Sequence, residues 1–209
     1  MACPKLNDSI EVIFEHVLPS LTNTGIKYWV YGGIGVAGAA GKPVRGNGDV
    51  DIYVLNEDFS KAERVLQQLC EEHNVINMDL WEIKLQKPLR TGRPKLDFFI
   101  RGRERLSVVP IYNTGNGVEF KVNKVFPLPD EALVQELKTV NGYEFYSPPR
   151  NIIKMLLCIM VEREIARYKG EKPVEEVLKG KRIIDAKAIL SAEEFDQIVK
   201  RLREKEKKA

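Results

Sequence analysis

The residues with the plainest chemistry lie in the stretch VRGNGDVDIYV, Val44 to Val54, where Asp49 and Asp51 stand one residue apart at the head of an apolar run. Side chains at i and i+2 of a strand share a face, so the two carboxylates sit side by side. Like charges held that close repel, and burying them unpaired is costly on the scale of a small domain's stability. The spacing suits a hard divalent cation: Mg²⁺ takes oxygen ligands and is usually held by one or two protein carboxylates together with substrate phosphates. With two such ions, one activates an attacking oxygen while the other steadies a leaving phosphate, and that arrangement wants a third carboxylate. Asp97 supplies it, interrupting the otherwise apolar KLDFFI. Asp79 and Glu82 are rivals, but Glu82 falls on the polar phase of an alternating strand. Upstream, IKYWVYGG reads as a strand ending at Gly32 and Gly33, a turn whose amides can approach a phosphate closely.

The elements that must position these groups follow from periodicity. Asn7 or Asp8 caps a helix that carries Ile10, Val12, Ile13, Val17 and Leu18 inward until Gly25. IGVAGAAG is a short, weakly helical segment broken by Gly41 and Pro43. The strand at 50–55 leads into EDFSKAERVLQQLCEEH, apolar at helical spacing. LWEIKLQK alternates as a half-buried strand, PLRTGRP turns, and KLDFFIR returns antiparallel. Strands are expected at 106–111, 117–121 and 132–139, the last meeting YEFYS across Asn141 and Gly142, a two-residue hairpin signal. From Pro148 the period becomes helical, with shorter helices at about 180–190 and 191–206. The expected organisation is α+β: a mixed twisted sheet flanked by helices over 1–146, then a helical region over 147–209.

Competing motifs fail on detail. Gly33-x-Gly35-x-x-Gly38 after a strand imitates a dinucleotide-binding fingerprint, with Glu57 near the place of a ribose-binding acid. Only ten residues separate Gly38 from Asp49, four of them Gly or Pro, which leaves no room for the crossover helix of a parallel unit. A Walker A loop fails because Pro43 follows Gly41-Lys42, and an EF-hand loop from Asp49 would need Gly at Val54 and Glu at Ser60.

Bulk properties set the frame. The net charge of +3 is too small to imply a polyanion partner. Three cysteines, Cys3, Cys70 and Cys158, have no paired spacing and argue for a reducing compartment; with two histidines, a Cys/His metal site is disfavoured. The N-terminus lacks an apolar leader and IIKMLLCIMV is too short to span a bilayer, so the expected setting is cytoplasmic, without a membrane.

A strand ending in Gly32 and Gly33, Asp49-Val50-Asp51 on the next strand and Asp97 on a later one together resemble the nucleotidyltransferase superfamily that includes DNA polymerase beta. The segment KPVRGNGDVDIYV is similar to the branch holding the aminoglycoside and lincosamide nucleotidyltransferases and the abortive-infection toxin nucleotidyltransferases. There an Arg precedes the acid pair, here Arg45. SPPRNIIKMLLCIMVER resembles that branch's proline-started helix with an inward lysine, here Lys154. KGKRIIDAKAIL resembles its Lys-Asp-x-x-Asp segment, with Arg182 standing where the first acid is expected and Asp185 matching the second. The likeness covers roughly 26–190.

The resemblance implies a nucleotidyltransferase that moves a nucleoside monophosphate, AMP, from a nucleoside triphosphate to an acceptor hydroxyl with release of pyrophosphate. Asp49, Asp51 and Asp97 would be catalytic and hold two Mg²⁺ ions; Gly32, Gly33, Arg45 and Lys154 would bind the triphosphate. A small-molecule acceptor is favoured. The basic cluster Lys84, Lys87, Arg90, Arg93, Lys95, Arg101, Arg103 and Arg105 keeps a toxin-like enzyme acting on tRNA as the alternative, with a catalytically silent nucleotide-binding module as a further one.

Overall fold

The computed structural model describes residues 8–77, 81–86, 94–114, 117–121 and 125–208. The first helical stretch runs as α1 (Asp8–Val12), one π turn (Ile13–Val17) and α2 (Leu18–Asn23). Pro19 has no N–H to give to the preceding turn, and the Leu18 amide reaches back to the Ile13 carbonyl, which explains the wide turn there. Asn7, one of the two expected caps, lies outside the described residues.

A central sheet follows. β1 (Tyr28–Tyr31) pairs antiparallel with β2 (Val50–Leu55), and the two are joined through α3 (Gly32–Ala40), which Gly41 ends in a left-handed conformation. An antiparallel β1–β2 pair is incompatible with the dinucleotide-binding crossover that the glycines imitate. After α4 (Phe59–Asn77) come β3 (Trp81–Gln86), β4 (Lys95–Ile100) and β5 (Arg103–Asn113). The order is β1-β2-β5-β4-β3, with β2 and β5 parallel and the other neighbours antiparallel. β6 (Val118–Lys121) and β7 (Val125–Leu128) extend the end of β5, the latter unanticipated by pattern.

One correction concerns the connection to the C-terminal helices. The expected strand at 132–139 begins only at Glu136, because Asp130–Leu133 forms a 3-10 turn. That turn is fixed by distant donors: the Tyr53 hydroxyl donates to the Ala132 carbonyl at 2.8 Å and the Trp29 indole N–H to the Val134 carbonyl at 3.1 Å. β8 (Glu136–Val140) and β9 (Tyr143–Ser147) do form the expected hairpin, with Asn141 and Gly142 both at positive φ. The helices are α5 (Arg150–Arg167), a short α6 (Val174–Val177), α7 (Lys181–Ile189) and α8 (Ala192–Glu206).

Strand alternation divides the interior into two layers. Val50, Ile52, Val54, Leu106, Val108, Leu96 and Phe98 face α1, α2 and α4. Trp29, Tyr53, Val109 and Ile111 face the opposite way and are covered by α5, α7 and α8 through Ile153, Leu157, Ile183 and Leu202. Asp51, Ser107 and Asp97 share this second face by parity. The C-terminal helices therefore seal one end of that face with apolar contacts and leave the acid-bearing end as a cleft. Among the described residues, no helix is long and apolar enough to cross a membrane.

Candidate active site

The strand register lines up the acids across the sheet. Asp51 is opposite Tyr31 on β1 and Ser107 on β5, and Ser107 is opposite Asp97 on β4. One row thus reads Tyr31, Asp51, Ser107, Asp97, and the small Ser107 separates the two aspartates by two strand spacings, about 10 Å between backbones. A bulge between Phe98 and Phe99 sets this register.

A cleft of about 260 Å³ opens at this end, lined by Gly32, Gly33, Asp49 and Asp51 on one wall and by Lys181, Arg182 and Asp185 of α7 on another. Ile153, Leu156, Leu157 and Met160 of α5 give it an apolar flank. Asp49 is exposed and Asp51 half-buried. Burial, and then the charge of Asp49, push the Asp51 carboxyl up to about 7. The fold therefore holds a carboxylate pair for which it provides too little positive charge.

Gly32 and Gly33 make the close approach possible. Gly32 takes a φ of +62°, and a Cβ there would run into the Asp51 carboxylate. At Gly33 a Cβ would collide with the Asn47 side chain and the Arg45 guanidinium. The loop bearing Asp49 is pinned by Arg105, whose Nη1 donates to the Gly48 carbonyl at 2.8 Å.

The remaining expected residues are placed differently. Asp97 is fully buried and does not line the cleft; Lys95 Nζ lies 2.5 Å from its Oδ1 and 3.2 Å from Glu104. Neither Asp97 oxygen receives a well-directed hydrogen bond, so the contact is an ion pair only. Burial opposes the Lys95 charge, but Asp97 and Glu104 outweigh it and raise its pKa. Among the described residues, no three His, Cys, Asp or Glu side chains are grouped closely enough to hold a metal. The Asp49–Asp51 pair has the donor chemistry for a hard cation, while Asp97 is paired with Lys95.

Arg45 reaches the cleft, but its Nε and Nη2 donate to Asp185 Oδ1 and Oδ2, each at 2.9 Å. Its charge is committed to that bidentate pair, which ties α7 to the loop before β2. Lys154 does not line the cleft and pairs with Glu194 at 2.6 Å. The inward phase of α5 belongs to Ile153, Leu156 and Leu157. Sequence reasoning missed Ser107, Lys181 and Arg182 as parts of the site. Asp79, Lys87, Arg90 and Arg93 lie outside the described residues.

A family model described as aminoglycoside-2''-adenylyltransferase matches residues 13–96, a stretch that holds Gly32, Gly33, Asp49 and Asp51. A sequence search among curated proteins finds no match. Among solved structures, ANT(2'')-Ia in complex with adenylyl-2''-tobramycin is similar, with a TM-score of 0.59 at 12% identity over 95% of this chain and 98% of that one. The lincosamide antibiotic adenylyltransferase LnuA, lincomycin-bound, gives 0.54 at 14% identity over 89% and 98%. At such identities these structures establish the fold, while the family match covers the glycine turn and the acid pair. By fold the chain is similar to these adenylyltransferases, and the aminoglycoside-2''-adenylyltransferase family model matches the part of it that carries the glycine turn and the acid pair.

Proposed function

We propose that the chain transfers AMP from a nucleoside triphosphate to a hydroxyl of a small molecule, with Mg²⁺ required and pyrophosphate released. The observation that carries this reading is the under-neutralised pair Asp49 and Asp51 facing the Gly32–Gly33 turn in one cleft. Asp49 and Asp51 would hold a divalent cation, which would supply charge neutralisation to the phosphates and the attacking oxygen. Gly32 and Gly33 leave backbone close enough to receive the phosphate tail, and the α5 flank of Ile153, Leu156 and Met160 offers an apolar surface to the base. The acceptor oxygen attacks the α-phosphorus, the bond to pyrophosphate breaks, and Asp97 takes the acceptor's proton once Lys95 yields. Before it takes that proton, the ionised Asp97 would also be the added ligand for a second ion. On this reading the part to residue 146 carries the chemistry and 147–209 closes the cleft, in a cytoplasmic setting.

A small acceptor is favoured over tRNA because the described cations of the basic hairpin are largely engaged. Lys84 pairs with Glu82 and lies 4.8 Å from the Phe99 ring centre, Lys95 serves Asp97 and Glu104, and Arg105 holds the Gly48 carbonyl. The two relatives are named for, or bound to, small antibiotic acceptors.

The test is incubation with α-labelled ATP, GTP, CTP or UTP, Mg²⁺ and a panel of small hydroxylated acceptors, with tRNA as the comparison. Label should move from ATP to a small acceptor in wild type and not in Asp49→Ala. A wild-type protein that binds no nucleoside triphosphate in the presence of Mg²⁺ overturns the reading.

A further inference from the structure

Three cations line the cleft, and their circumstances differ. Arg45 is held on both sides of its fork by Asp185. Lys181 lies one helical turn before Asp185, and its charge stabilises that carboxylate. Arg182 has no ion pair and no side-chain hydrogen bond among the described residues, yet it is exposed to the same cleft. It also sits in the first turn of α7, which contains no acidic residue, so the helix polarity opposes its charge. Among the described residues, no ion pair or hydrogen bond offsets that placement.

Position indicates the missing counter-charge. Lys181 and Arg182 precede Asp185 by four and three residues and share its face of α7. Asp185 grips Arg45, whose guanidinium lies against Gly33. Arg182 therefore stands about one helical turn from Asp185 and lines the same cleft as the glycine turn, Asp49 and Asp51. The cleft has an acid pair, Asp49 and Asp51, without an ion-paired cation, and on the α7 wall Arg182 without an ion-paired anion, since Asp185 is taken by Arg45. A substrate that brings a metal ion to one and phosphates to the other satisfies both.

Building on the nucleotidyltransferase reading above, we infer that Arg182, with Lys181 beside it, binds a phosphoryl group of a bound substrate, in the role the sequence assigned to Arg45 and Lys154. The phosphoryl group comes either from the triphosphate of the nucleotide or from a phosphorylated acceptor. Either way the same wall disfavours an ammonium-rich acceptor, since its one acid, Asp185, is already paired with Arg45.

Calorimetric titration of the full chain separates these sources without relying on turnover. The probes are a Mg²⁺ complex of an ATP analogue with a non-cleavable α,β bond, inorganic tripolyphosphate, AMP, and inorganic phosphate added after saturation with the analogue. Arg182→Gln should weaken the analogue and tripolyphosphate about tenfold, the scale of one charge-assisted hydrogen bond, with AMP unchanged and Arg182→Lys restoring part of the loss. Weakening confined to inorganic phosphate on the saturated protein assigns Arg182 to a phosphorylated acceptor instead. Equal affinity of wild type and Arg182→Gln for every probe overturns the inference while leaving the proposed function standing. A wild-type protein that binds none of the probes overturns both. Arg182 is exposed, and an unchanged melting temperature for Arg182→Gln confirms that the variants are folded.

Discussion

Asp185 and the pair Asp49–Asp51 border the same cleft and are treated in opposite ways. Asp185 is buried, and burial leaves its pKa raised even though Arg45 answers it with two parallel hydrogen bonds of 2.9 Å and Lys181 also lowers it. Asp51 is pushed up to about 7 by burial and by Asp49, with only the more distant charges of Lys95 and Arg45 opposing. The first arrangement is how a fold disposes of a structural charge: it pairs it and gains a tether between α7 and the loop before β2. The second leaves repulsion in place and makes sense when the neutralising ion arrives with the substrate.

The contrast breaks most sharply by mutation of the unanswered pair. Asp49→Ala should reduce Mg²⁺-dependent transfer by about a thousandfold or more, with melting temperature equal to or above that of wild type. A severe loss of folding instead would make Asp49 structural.

Next in size is the pH dependence of the cation-free protein. Asp51 binds its proton more tightly when folded than when unfolded, so stability should fall as pH rises from about 4 to about 7 and stay level above that. Denaturant melts across this range should show the fall in wild type and much less of it in Asp51→Asn or at saturating Mg²⁺. A rise in stability over the same range would mean that Asp51 is satisfied within the fold.

The answered acid should respond instead to loss of its partner. Arg45→Ala strands a buried Asp185 and should cost about 3 kcal/mol, as for a broken buried pair, whereas Arg45→Met combined with Asp185→Leu should recover most of it. Urea melts of the four proteins in the cycle measure the coupling. A smaller effect is expected at Gly33→Ala, whose added methyl meets Arg45 and Asn47; about 1–3 kcal/mol of destabilisation should accompany weaker nucleotide binding. Smallest of all is Lys154→Gln: its pair with Glu194 is well exposed, so stability should change by less than about 1 kcal/mol and nucleotide affinity not at all.

The same contrast marks what could be read from sequence. Asp49 and Asp51 were legible because period-two geometry puts i and i+2 on one face whatever the rest of the chain does. Asp97 was legible as an acid in an apolar strand, but its partner Lys95 was hidden in a count of basic residues. Its alignment with Asp51 depends on a bulge and on pairing through β5, which no local pattern encodes. Ser107 carried no signal, since its contribution is to be small between two acids. Lys154 was assigned inward from the resemblance of its segment to the branch's proline-started helix, and α5 turns Ile153, Leu156 and Leu157 to the cleft. Arg182 read as the loss of an acid, and only the folded chain, which brings residue 182 into the same cleft as residues 32 and 33, makes it a gained cation. The 3-10 turn at Asp130–Leu133 was invisible for a similar reason, being fixed by Tyr53 and Trp29 from the far side of the sequence.

The central claim is that the carboxylate pair is completed by a metal ion that comes with a nucleoside triphosphate. It is tested most directly by calorimetric titration of a non-cleavable ATP analogue into wild type and Asp51→Asn, with and without Mg²⁺. Mg²⁺ should tighten binding to wild type by at least about tenfold and leave Asp51→Asn unaffected. Equal Mg²⁺ dependence in the two proteins, or none in wild type, would contradict the account.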